Sequence, residues 1–228
     1  MRVDIWSDLV CPWCYIGTTR FDRALAGFEH RDRVRVVHRS FELDPSRAPG
    51  RTEPVQRMLT DKFGPRGAGM DDQVAELARA EGLGYRTDRE VGSTLDAHRL
   101  LHATEAGEPR HRLLTALFTA HFAEAASLFT AKALAGIADR AGFDPDETRR
   151  VLDDPDAHLD AVRADEREAA RIGASGVPFF VLDGRYGVSG AQSVEAFAEA
   201  LRTAWGDRPP VVADDVSACR LDGGDQPG

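Results

Sequence analysis

The sequence predicts an α/β fold in which a strand–helix–strand unit and a strand–strand–helix unit are split by a long all-helical stretch. Three observations carry this. The β-rich runs Val3-Asp4-Ile5-Trp6 and Val34–Leu43 flank a helical segment. From about Glu53 to Ile172 apolar residues recur at helical spacing, with no convincing strand. Strand character then returns at Val177-Pro178-Phe179-Phe180-Val181-Leu182, ahead of a last amphipathic helix.

Each element has a local reason. The first strand, about Arg2–Trp6, alternates in polarity. The first helix runs from near Cys14 to Phe28, with Tyr15, Ile16, Phe21 and Leu25 at helical spacing. The next strand ends at Asp44-Pro45. A unit of this length predicts parallel strands with a right-handed crossover. In the helical stretch, Val55, Met58, Leu59 and Phe63 share a face, as do Val74, Leu77 and Ala78 before Gly82. Thr94 caps a helix carrying Leu95, His98, Leu101 and His102. Glu108-Pro109 opens one with a broad apolar face through Leu113, Leu117 and Phe122. Thr130 starts another, and Asp144-Pro145-Asp146-Glu147 is a capping box with proline at the first helical position. Asp154-Pro155 opens a long helix stopped by Gly173. Asp183-Gly184 makes a tight hairpin turn, Tyr186-Gly187-Val188 pairs back, and Val194, Phe197, Ala198 and Leu201 form the last helix. The expected organisation is a discontinuous domain of residues 1–48 and 175–206, an inserted helical domain of residues 49–174, and a disordered tail of residues 207–228 rich in Pro, Asp and Gly.

Chemistry is concentrated in Cys11-Pro12-Trp13-Cys14, between the first strand and the first helix. Cys11 is placed at a helix N-terminus, where unpaired N–H groups and the helix dipole stabilise a thiolate, the species that attacks a disulfide. Pro12 suits the first turn because its missing N–H would have had no partner there. The short spacing lets the two sulfurs bond with little backbone motion. In such motifs the thiol pKa falls from about 8.5 to roughly 3.5–7.5, which makes the disulfide more oxidising. A structural zinc site is the competing use of two cysteines, but it normally takes four ligands. There is no second Cys-x-x-Cys, and His98 and His102 are the available histidine pair, so no metal is expected. Cys219 lies far down the tail as a free thiol or half of a regulatory disulfide.

Composition bounds the partners. A chain of 228 residues, 42 % hydrophobic, holds one large or two small domains with a real core. A net charge of −9 argues against nucleic acid and anionic membrane as partners. No basic-then-apolar signal segment follows Met1, and no run approaches the roughly 18 apolar residues of a membrane span. The expectation is a soluble, cytoplasmic protein, with a homodimer as one possible assembly.

These elements are ordered as in a thioredoxin fold with a large inserted all-helical domain. The segments Asp8–Gly17, Phe41-Glu42-Leu43-Asp44-Pro45, Ala97-His98-Arg99-Leu100, Gly176–Phe180 and Ser189-Gly190-Ala191-Gln192 resemble the DsbA-like thioredoxin superfamily, within it the cytoplasmic FrnE-like branch near the 2-hydroxychromene-2-carboxylate isomerases. The resemblance runs to about Trp205. It implies Cys11 as nucleophile, Cys14 as resolving thiol, and a cis Val177–Pro178 bond facing them. On the residues alone, Pro178 reads equally as cis or as a trans proline opening an edge strand. The isomerase branch usually has serine at the first cysteine, so Cys11 favours dithiol chemistry.

The expected function is a thiol–disulfide oxidoreductase acting on protein or small-molecule disulfides and thiols. Its redox group is the Cys11–Cys14 disulfide rather than a bound cofactor, with glutathione or mycothiol as co-substrate. Catalytic residues are Cys11, Cys14 and Pro178; substrate-binding residues are Pro12, Trp13, Val177 and His98. Trp13 either packs over the pair or fills core, and His98 either faces the cleft or packs in the core. Asp8 and Glu42 are candidates for proton transfer to Cys14. Two other function classes fit the same residues: a low-molecular-weight-thiol-dependent reductase, transferase or isomerase (of the kappa glutathione transferase or hydroxychromene carboxylate isomerase kind), and a non-catalytic chaperone-like binding module. They differ in whether turnover needs a small thiol, and in whether binding survives loss of both cysteines.

Overall fold

A computed structural model describes residues 1–67 and 69–208 of the chain. The predicted disordered tail and Cys219 therefore lie outside the described residues, apart from Asp207 and Arg208. The main sheet has four strands, β1 (Arg2–Ser7), β2 (Arg35–Ser40), β5 (Phe179–Leu182) and β6 (Tyr186–Ser189), in the order β2-β1-β5-β6. β1 and β2 run parallel, with Val3 opposite Val36 and Ile5 opposite His38. β5 is antiparallel to both β1 and β6. The β5–β6 turn uses Asp183 (φ 54°) and Gly184 (φ 69°), the two left-handed residues of a tight hairpin.

Period-two alternation sorts β1 between two cores. Val3 and Ile5 face helices α1 (Pro12–Ala26) and α9 (Val194–Gly206), packing with Phe21, Phe180, Phe197 and Leu201. The three phenylalanines meet at ring-centroid distances of 4.6–5.6 Å, and each buried ring contributes about 1.5–3 kcal/mol. Trp6 faces the other way, against Ala169 and Ala174. Its indole N–H donates to the Asp165 carbonyl (2.9 Å) on α8 (Leu159–Arg171).

Between the sheet halves lie α2 (Val55–Phe63), α3 (Met70–Ala80), α4 (Leu95–Ala103), α5 (Glu108–Phe118), α6 (Ala131–Arg140), α7 (Pro145–Asp153) and α8. The caps at Thr130 and Asp144 form as read, and Ser193 caps α9 in the same way: each side chain accepts a backbone N–H of the first turn. Thr94 stands at the start of α4, but Ser93 Oγ accepts the Leu95 N–H instead.

Three details correct the sequence reading. Two short strands, β3 (Thr52–Pro54) and β4 (Glu90–Gly92), pair antiparallel inside the stretch read as wholly helical. α5 continues into a π-helical turn, Thr119–Ala123. α8 begins at Leu159 rather than at Asp154-Pro155, because residues 154–158 form a turn ending in His158 at φ 59°. Among the described residues no helix is long and apolar enough to cross a membrane.

Candidate active site

Cys11 is the N-cap of α1, in extended conformation (φ −86°, ψ 111°), with Pro12 in the first turn. Its N–H donates to the Asp8 carbonyl (3.1 Å), and its own carbonyl accepts the Cys14 N–H (3.0 Å). These bonds close the loop over which the two cysteines share one helical turn. Both thiols are free. Cys11 is 4 % exposed and Cys14 fully buried, within the apolar cluster of the helical insertion. Burial, with the neighbouring Cys11 sulfur second, pushes the Cys14 thiol well above its ordinary range.

Opposite the pair, the Val177–Pro178 peptide is cis, and the Cys11 thiol donates to the Val177 carbonyl at 3.6 Å. Three further contacts fix this approach. A Cβ on Gly17 would stand 2.9 Å from Pro178 Cγ and 3.2 Å from Ala191 Cα, so only glycine lets α1 lie this close. The Gly190 N–H donates to the Pro178 carbonyl (2.9 Å). Arg20 donates to the Ala191 carbonyl (2.9 Å) and to Glu81 (2.7 Å). The Ser189-Gly190-Ala191-Gln192 segment is thus the backing of the Pro178 turn.

Other predicted residues divide. Pro12 and Val177 are partly buried beside the pair. Trp13 is 41 % exposed, so it fills no core. Asp8 is buried beneath the loop: Oδ2 accepts the Leu43 N–H (2.7 Å), and Oδ1 lies 3.5 Å from His98 Nε2. His98, 1 % exposed, sits behind Asp8 instead of lining an open cleft. Glu42 accepts from Arg163 (2.7 Å) and is tied to α8. His102 turns away from His98 to reach Asp165 (3.0 Å), so the two histidines converge on no common point. Among the described residues no group of three His, Cys, Asp or Glu side chains is placed to hold a metal.

One buried network has no sequence signal. Arg89, 2 % exposed, donates to Asp71 (2.5 Å) and the Tyr85 hydroxyl (2.8 Å) and meets His121 Nε2 (3.3 Å). Its guanidinium lies 4.6 Å from both the Tyr85 and Phe122 ring centroids. Phe122 in turn stacks on Tyr15 of α1 (5.1 Å). The π-helical turn supplies both His121 and Phe122, bringing this network against the residue that follows Cys14. Burial, helped by the Arg89 charge, pushes His121 down to about 3, so the ring is neutral.

Comparison with known proteins agrees with this architecture. A family model described as a DSBA-like thioredoxin domain matches residues 2–202. The crystal structure of a probable DsbA oxidoreductase from Streptomyces coelicolor is 53 % identical, with 100 % of each chain covered and a TM-score of 0.88. Two more distant structures share the fold. The cytosolic disulfide reductase DsbM from Pseudomonas aeruginosa, solved with GSH, is 19 % identical over 90 % of this chain and 100 % of its own (TM-score 0.64). A 2-hydroxychromene-2-carboxylate isomerase is 14 % identical over 90 % of this chain and 95 % of its own (TM-score 0.64).

Proposed function

The chain belongs to the DSBA-like thioredoxin domain family, and from that premise we propose that it is a thiol–disulfide oxidoreductase in which Cys11 is the nucleophile and Cys14 the resolving thiol. The asymmetry of the two sulfurs carries the reading. Cys11 caps a helix N-terminus, where the dipole favours a thiolate, whereas Cys14 is fully buried with its thiol held protonated. The Cys11 thiolate attacks one sulfur of a substrate disulfide. The substrate S–S bond breaks, its far sulfur leaves with the electron pair and takes up a proton, and a mixed disulfide forms. Cys14 then loses its proton and attacks Cys11 Sγ, releasing the second substrate sulfur as a thiol. The substrate is reduced by two electrons and the Cys11–Cys14 pair is oxidised; the reverse sequence oxidises a dithiol.

Val177 offers main-chain groups beside Cys11 to an extended substrate, with Pro178 holding them in place. Exposed Trp13 and Leu43 supply an apolar rim. Substrates of this reading are protein or small-molecule disulfides in the cytoplasm, with a small thiol such as glutathione or mycothiol returning electrons. Incubating Cys14→Ser with a disulfide-bonded peptide tests it by intact mass. An adduct on Cys11 is expected; no adduct, together with full exchange activity in Cys11→Ser, overturns it.

A further inference from the structure

Three buried polar atoms meet beneath the cysteine loop without a hydrogen-bond partner among the described residues: Asp8 Oδ1, His98 Nδ1 and His98 Nε2. Such atoms are costly to bury unpaired, and each calls for an explanation, a redox or catalytic role among them. The nearest approach is His98 Nε2 to Asp8 Oδ1, 3.5 Å, with both side chains at most 2 % exposed. Asp8 is anchored from its other side. Its Oδ2 accepts the Leu43 N–H and its carbonyl accepts the Cys11 N–H. Oδ1 is left without a donor, and His98 Nε2 faces it.

We propose that His98 is a positioning residue for the resolving step: its Nε2–H holds the Asp8 carboxylate as acceptor for the proton that Cys14 must lose. The inference rests on the exchange mechanism above and adds residues to it. In the mixed disulfide the Cys14 thiol gives its proton to Asp8. The Cys14 sulfur forms its bond to Cys11 Sγ, and the Cys11–substrate S–S bond breaks. The substrate sulfur departs with the electron pair, then takes up one proton as Asp8 releases one, so no further reactant is needed. A resting separation of 3.5 Å is compatible with this, because catalytic hydrogen bonds are often long before substrate binds and tighten afterwards. Burial holds the Cys14 proton on its sulfur, and the Asp8 charge adds to that. A fixed acceptor is what the resolving step therefore requires. Two other groups act on the pair electrostatically, Glu42 on His98 and His121 on Asp8; Arg163 in turn pairs with Glu42, and Arg89 meets His121.

The test follows the two steps separately in reduced protein mixed with oxidised glutathione, by rapid acid quench and intact mass, from pH 5 to 9 (range chosen to span about two units on either side of neutral). His98→Leu removes the donor, and His98→Gln keeps an N–H that reaches Asp8. In His98→Leu the mixed disulfide forms at the wild-type rate but accumulates, because its resolution slows by about tenfold or more. His98→Gln restores most of the rate of resolution. A purely structural role slows both steps alike and is not rescued by glutamine. Wild-type resolution in His98→Leu overturns the role of His98 while leaving the exchange mechanism intact. Absence of any mixed disulfide in the wild-type protein overturns the exchange mechanism itself, and this inference with it.

Discussion

The Cys11 thiol and the Val177 carbonyl oxygen stand 3.6 Å apart although 166 residues separate them in the chain. The contact joins the cap of α1 to the approach of β5, so the reactive sulfur depends on the register of two distant sheet strands. Trp6 pairs with Phe179 and Ile5 with Phe180 in that register. A one-residue slip would turn Phe180 out of the core and carry Val177 away from Cys11.

Gly17 sets how closely these parts approach. Gly17→Ala gains up to about 1 kcal/mol of helix propensity, but its methyl collides with Pro178 and with the Ala191 backbone, and overpacking costs about 1–3 kcal/mol. The expected result is net destabilisation in urea melts together with slower reaction at Cys11. A variant as stable and as fast as wild type would contradict the packing described.

Trp13 tests the exposed rim. Because Trp13 is an exposed residue outside the buried core clusters, Trp13→Ala should leave stability within about 0.5 kcal/mol while weakening reaction with peptide disulfides. A loss of several kcal/mol in a denaturation curve would mean that the side chain fills core after all.

Asp165 ties the sheet to α8. It is buried and accepts from Arg39 (2.6 Å), the Ser40 N–H (2.9 Å) and His102 (3.0 Å). Burial raises its carboxyl, but the His102, Ser40 and Arg39 donors outweigh this and hold it below the usual carboxylate range. A folded-state value below the unfolded one gives stability that is present above about pH 4 and lost as pH falls through the folded value. Asp165→Ala should destabilise by about 1–3 kcal/mol, since it leaves the buried Ser40 N–H without its acceptor while Arg39 keeps Asp4, and should flatten the acid limb below pH 4. A full-strength acid limb in the variant would assign it to other carboxylates.

His38 and His121 act at higher pH. Burial first, then neighbouring His111 and Arg110 for His38 and Arg89 for His121, push both down to about 3. Each ring is neutral when folded and takes a proton near pH 6.5 when unfolded, so stability falls as pH drops below that value. The slope approaches about 1.4 kcal/mol per pH unit for each ring. Urea midpoints at pH 7 and pH 5 measure it. His121→Asn should remove part of the decline, and an unchanged decline would contradict the assignment.

Much of this was legible in the chain. The alternation of β1, the proline-opened caps and Asp183-Gly184 each state a local preference that tertiary packing keeps. β3 and β4 were not legible, because three-residue strands containing Pro54 and Gly92 show neither alternation nor β-branched runs. Asp154-Pro155 mimics a helix start, and nothing local announces that His158 adopts positive φ and delays α8. The cysteine pair was evident from spacing alone, but its surroundings were not. Asp8 and His98 meet only because α4 returns to the sheet, and Arg89 is an arginine that burial statistics place on the surface. Partners that far apart in sequence leave no pattern in a single chain.

The central claim is that Cys11 and Cys14 form a reversible two-electron couple, and equilibration with a thiol–disulfide buffer, resolved by mass after alkylation, tests it most directly. The account predicts interconversion of dithiol and disulfide forms about one midpoint. A midpoint near about −200 mV or higher marks an oxidant or isomerase, and one near about −270 mV a reductant. A protein that stays dithiol across the whole buffer range would contradict the claim.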